Sequence, residues 1–239
     1  MWTLVARIGK WIGISLASLI ALLVLGLVLV PPATRWLTDR WGATAEEVSA
    51  VLPGDDAFPA SRELSTKAIT IDAPPETVYA LVQQMGQHRG GWYGWDWFYN
   101  ATKSSDFVDG HYSTRIVPAL QDVKVGDRIH INDAVAYDVI VAEPGRALVL
   151  AAGSLSHEQR GPHASLPTTW TENTLGFLMR PTADGGTRLL VRMRADGTET
   201  GFARWMWNGP LNFGSALFSY KTMVGIKRVA ESLRQGSAS

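Results

Sequence analysis

The stretch Pro210–Arg234, PLNFGSALFSYKTMVGIKRVAESLR, reads as a long terminal helix. Proline suits the first turn of a helix, where its missing N–H would be unpaired in any case. The preceding Asn208-Gly209 pair reads as a chain break. Two apolar stripes run along the stretch. Phe213, Leu217, Tyr220 and Val224 recur at spacings of four, three and four, and Leu211, Phe218, Val229 and Leu233 lie nearly opposite. A surface helix normally has one apolar face. This one is therefore either covered on both sides over its first half or turns one face to a ligand. Lys227, Arg228, Glu231 and Arg234 make its second half polar outside.

Working outward, the chain upstream supplies strands. Thr66–Ile71 alternates around Ala68, Ile69 and Ile71, the period of a half-buried strand. Asp72-Ala73-Pro74-Pro75 opens a helix with Val78, Leu81, Val82 and Met85 on one face, and Gly86 is a plausible stop. Short strands are expected at Asp127–Ile131, Ala136–Glu143 and Ala147–Ala152, and around Leu175, Phe177 and Met179. Ala183-Asp184-Gly185-Gly186 is a hairpin turn into a last strand. There Leu189, Val191 and Met193 alternate with Arg188, Arg192 and Arg194, placing guanidiniums on one face, most simply a solvated one. An antiparallel sheet with one covered face needs a cover, and the terminal helix is the only element long enough. Fold class α+β follows: a curved antiparallel sheet of about six strands wrapped on a long C-terminal helix.

The N-terminal part differs. Ile12–Val30 is almost wholly apolar, and no charge occurs between Lys10 and Arg35. About 20 such residues span a bilayer as a helix. A cleaved signal peptide is the rival reading, but the run exceeds an ordinary h-region and no A-x-A-like site follows. One N-terminal transmembrane helix is expected, ended by Pro31-Pro32 and flanked by Trp2, Trp11 and Trp36. Arg7 and Lys10 on one side nearly balance Arg35 and Arg40 on the other. The N-terminal amine tips the expected orientation towards a domain outside the cytoplasm. The expected division is 1–34 as anchor, 35–62 as linker with a short helix, and 63–239 as the globular domain.

The 239 residues carry 22 basic and 22 acidic side chains, which excludes a nucleic-acid binder held by bulk charge. Without cysteine there is no disulfide, thiolate metal site or cysteine nucleophile. Ten tryptophans suggest aromatic-lined cavities, interfacial contacts or simply a large core. Six of the eleven residues 90–100 (GGWYGWDWFYN) are aromatic. They read either as a plug at the end of the core or as the wall of a pocket.

These stretches together resemble the helix-grip superfamily SRPBCC, which includes START domains, the birch-pollen allergen group and polyketide cyclase/dehydrase-like proteins. The resemblance rests on residues 68–78 (AITIDAPPETV), 82–87 (VQQMGQ), Gly90-Gly91-Trp92-Tyr93 and Asp96-Trp97. It continues through 120–127 (LQDVKVGD), 143–150 (EPGRALVL), 186–192 (GTRLLVR) and Gly225-Ile226-Lys227. It covers about 63–234 and leaves out the anchor. It implies a cavity between the sheet and the last helix for a lipid, sterol, polyketide or other apolar molecule, and no universal catalytic set.

The expected function is a membrane-anchored binding or carrier domain for a hydrophobic small molecule or lipid. The ligand wall is expected from Trp92, Tyr93, Trp95, Asp96, Trp97, Phe213, Leu217 and Tyr220. No catalytic residue, cofactor or metal is assigned, since no motif for hydrolase, zinc, P-loop or dinucleotide chemistry occurs. His157, Glu158 and His163 sit in a polar loop without metal-ligand spacing. Two alternatives stay open. A cyclase or dehydratase would draw on Asp96, His111, Tyr112 and Arg115. An interaction module would dock through Trp205, Met206 and Trp207.

Overall fold

The computed structural model describes residues 2–59, 61–102, 106–160 and 167–237. Six strands form one antiparallel sheet: β1 (Glu63–Ile71), β2 (Arg128–Asn132), β3 (Val135–Glu143), β4 (Ala147–Gly153), β5 (Thr171–Pro181) and β6 (Thr187–Gly197). Their spatial order is β1-β6-β5-β4-β3-β2, so the first strand closes against the last and both edges stay open. Ile71 pairs with Thr187 and Glu63 with Ala195, which sets the register of the closing pair. A shift between Val139 and Val141 marks a bulge in β3, the kind of irregularity that bends a strand and strengthens its twist.

The alternation read from the sequence marks the face that carries the main core. Odd-numbered residues of β1, β5 and β6, including Ile71, Phe177, Met179, Leu189 and Val191, join Leu148 and Leu150 in the main core. Two helices cover it: α3 (Pro75–Gln83), with proline in its first turn, and α6 (Asn212–Ser237). The inner stripe of α6 is Ala216, Met223, Ile226, Val229 and Ala230, all buried. That stripe differs from the expected one, because Leu217 and Tyr220 are 43% and 44% exposed. Small residues set the approach. A Cβ on Gly225 would stand 2.0 Å from the Tyr93 carbonyl oxygen, so only glycine lets α6 close on the aromatic segment.

The break expected at Asn208-Gly209 does not occur. The chain is already helical at α5 (Gly201–Met206) and continues through a π-helical segment, Trp207–Leu211, into α6. Proline in a helix clashes with the carbonyl four residues back. The wider π turn accommodates Pro210 without ending the helix.

The arginine face of β6 is not solvated. Helix α2 (Ala45–Ser49), capped by a reciprocal Thr44–Glu47 capping box, and the turn at Asp55–Ala57 fold across it. Arg192 is buried there. It donates to the carbonyls of Glu47, Val48 and Ala50 at 2.9, 2.8 and 2.7 Å and pairs with Asp55 at 2.6 Å. Arg188 grips Glu47 at 2.8 Å, and Arg194 reaches the Phe58 carbonyl at 3.1 Å. Leu52 then fills a second small core with Ala68, Ala147, Leu178 and Leu190. The segment before the domain is thus a strap bound to the outer sheet face.

The expected membrane anchor is corrected. Among the described residues no helix is long and apolar enough to cross a membrane. A single-pass localisation is therefore not supported. The apolar run is instead the middle of a longer helix, α1 (Trp2–Arg40), which continues through 31–32. Its far end docks on the domain. Arg35 pairs with Glu63 at 2.6 Å, Trp41 accepts from the Ala68 N–H at 3.0 Å, and the Trp41 ring meets Tyr220 edge-on at 4.8 Å. The helix end expected at 31–32 therefore does not occur.

Candidate functional site

A cavity of about 140 Å³ lies between the inner sheet face and the π-helical segment that precedes α6. Four strands, the π segment and two α-helices build it. Glu63, Leu64 and Ser65 come from β1, Met193 and Ala195 from β6, Asn173 from β5 and Tyr137 from β3. Trp207, Asn208 and Leu211 come from the π segment, Asn212 and Ser215 from α6, and Asp39 from the end of α1. The wall is mainly apolar, and Trp207 and Leu211, each about half exposed, stand at its mouth. The lining follows from the local structure. Inward register brings Ser65, Met193, Ala195 and Asn173 to one face, and the π turn rotates Trp207 and Leu211 over that face.

The polar groups are few and distinct. Asp39 and Glu63 are both tied to Arg35, at 3.2 and 2.6 Å, and Arg204 approaches Glu63 at 3.8 Å. Burial pushes the Tyr137 hydroxyl up to about 12, so it stays a protonated donor. Asn173 donates to the Ala152 carbonyl at 3.0 Å, while its buried Oδ1 has no partner among the described residues. Ser65 accepts a hydrogen bond at 3.1 Å from Nζ of Lys67, which is only 3% exposed. Burial pulls that ammonium down to about 8, partly offset by Asp39.

The residues expected from the sequence to form the wall lie elsewhere. Trp92 and Tyr93 are buried in the core. Tyr93 accepts a hydrogen bond from Gln84 at 2.8 Å, and the Trp92 carbonyl accepts one from Thr222 at 2.9 Å. Trp95 packs edge-on against Phe218 at 5.2 Å, while Trp97 is 67% exposed. Asp96 begins a short helix, α4 (Asp96–Ala101). Desolvation raises its carboxyl above the usual range, with the Tyr112 N–H opposing. Phe213 is half-buried, and neither Leu217 nor Tyr220 borders the cavity. The aromatic segment is thus a plug beneath the first half of α6.

Of the residues considered for acid–base chemistry, Asp96, Tyr112 and His111 come near one another, but Arg115 turns away to Asp109 at 2.8 Å. None of the four lines the cavity. Among the described residues no cluster of metal-ligating side chains forms. His163 and the side chain of His157 lie outside the described residues. The lining residues were overlooked because most are unremarkable alone. Lys67 carries a readable signal, since it shares the inward face of β1 with Ile69 and Ile71.

No protein-family model and no curated protein matches the chain. Solved structures similar to it include a protein of Helicobacter pylori, at 9% identity and TM-score 0.43, covering 79% of this chain and 99% of that one. The Aha1 dimer of Colwellia psychrerythraea aligns at 16% identity and TM-score 0.36, covering 71% and 96%. DynU16 of the dynemicin biosynthetic locus aligns at 19% identity and TM-score 0.32, covering 66% and 46%.

Proposed function

We propose that the chain is a helix-grip, SRPBCC-like binding domain that holds a hydrophobic small molecule between the inner sheet face and the start of α6. The observation that carries this reading is the cavity itself. It is apolar over most of its wall, open at Trp207 and Leu211, and supplied with a few converging polar groups. Ligand sites have that composition. The cavity compares in size with a ~150 Å³ engineered cavity that accepts benzene, so a longer ligand extends through the mouth. The π-helical rim adds support, since such turns recur at functional sites. Cyclase or dehydratase chemistry finds less, because the two lining carboxylates, Asp39 and Glu63, are already engaged by Arg35.

Native mass spectrometry of the full chain after exposure to a lipid extract tests the reading, with Ala195→Phe as the blocked form. The wild-type chain is expected to retain a reproducible added mass. The phenyl ring projects into the cavity, so the variant is expected to lose that mass while keeping its melting temperature. Equal uptake by a folded variant places the ligand elsewhere and overturns the reading.

A further inference from the structure

A cavity-bound ligand needs something to orient it, and the chain supplies an unusual group. Lys67 sits at an inward position of β1, two residues from Ser65, which lines the cavity. An ammonium group carries three donors. Among the described residues Lys67 has one hydrogen-bond acceptor, the Ser65 hydroxyl at 3.1 Å, and no ion pair. Buried charges are ordinarily paired and fully hydrogen-bonded, because leaving water is costly for them.

The surrounding charges show why this one is left over. Asp39 acts on Lys67 through its field but bonds Arg35 and, at 3.4 Å, Asn212. Glu63 is shared between Arg35 and Arg204. Arg204 also faces Asp196, whose main partner is Arg62. Both carboxylates at the cavity thus have their cations, and Lys67 has no anion. Lys67 does not itself line the cavity, but its one acceptor, Ser65, does, so the ammonium meets the cavity through Ser65.

We propose that Lys67 and Ser65 form the head-group seat of the cavity and select apolar ligands that end in a carboxylate. This rests on the ligand-binding reading above. The carboxylate accepts from Nζ and from the Ser65 hydroxyl, which can rotate to donate once an anion is present. The Tyr137 hydroxyl and the Asn173 amide line the same space as further polar contacts. The tail lies along Met193, Leu64 and Leu211 towards the mouth. Charge-assisted hydrogen bonds in a water-poor site are the strong ones, so the seat discriminates by head group while the tail supplies apolar contact.

The test is calorimetric titration of the full chain with octanoate and with octan-1-ol, which share a tail length and differ at the head. Ala195→Phe is the control for uptake on apolar surface outside the cavity. The wild-type chain is expected to bind octanoate about tenfold more tightly than the alcohol. Lys67→Met keeps the volume and removes the charge. It is expected to erase that preference, and Ser65→Ala should weaken octanoate more than the alcohol. Equal affinity for both heads in the wild-type chain, or an undiminished preference in Lys67→Met, overturns the head-group seat while the cavity stands. If neither compound binds in an Ala195-dependent way, the ligand-binding reading itself fails and the seat fails with it.

Discussion

Lys67 also leaves a signature on stability in the absence of ligand. Its ammonium ionises near 8 in the folded chain, against 10.5 for an ordinary lysine, because burial disfavours the charge. Between those values the unfolded chain holds the proton and the folded chain does not. Stability therefore rises with pH across that window. Relative to Lys67→Met, the wild-type chain should gain about 3 kcal/mol between roughly pH 8 and pH 10.5. Urea unfolding of both proteins across this range reads the difference. The raised tyrosines, Tyr79, Tyr93, Tyr99 and Tyr137, are common to both proteins and cancel. A constant gap would mean that the amine keeps its ordinary basicity and reaches water. At this scale the sequence was partly legible. The inward register of Lys67 follows from strand alternation, but its lack of a counterion depends on Arg35 and Arg204, which are distant in the chain.

Among the elements, the strands were readable because period-two alternation reports one covered face directly. Helix α3 was readable for the analogous reason. The arginine row shows where that logic ends. Alternation correctly separates Arg188, Arg192 and Arg194 from the core, but it cannot tell a face open to water from one covered by a distant segment. The strap that covers it depends on Arg192, which satisfies three carbonyls and Asp55 at once. Breaking a buried pair by removing one partner leaves an uncompensated charge. Arg192→Met should therefore cost about 3–5 kcal/mol and expose the 43–59 segment to protease before the rest of the domain. Unfolding midpoints and limited proteolysis read both effects. An unchanged midpoint with a protected strap would show that Leu52 alone holds the segment. The stripes of α6 were partly legible: Val229 and Leu233 do reach the core, whereas Leu217 and Tyr220 stay largely exposed. Its buried face uses Ala216, Gly225 and Ala230, small residues that a pattern of large apolar side chains overlooks.

For the whole molecule, a sheet closing on a long terminal helix was legible, and the position of its cavity was not. A cavity is a place where atoms are missing, and here it depends on a π turn that no simple pattern announces. Of the aromatic residues that advertised a pocket, Trp92 and Tyr93 sit in the core and Trp95 packs on Phe218, while Trp97 stays exposed. The cavity opens one end further along, where Trp207 and Leu211 bridge to β1 and β6. Methionine methyl NMR of the full chain separates these two locations directly, because four of the six methionines lie at one or the other. Met193 lines the cavity, whereas Met85, Met179 and Met223 lie in the core beside α3, α6 and the aromatic plug. On addition of octanoate the Met193 methyl signal should move while those of Met85, Met179 and Met223 stay in place. Shifts at Met85 or Met223 with Met193 unmoved would put the ligand at the aromatic plug and contradict the cavity as the binding site.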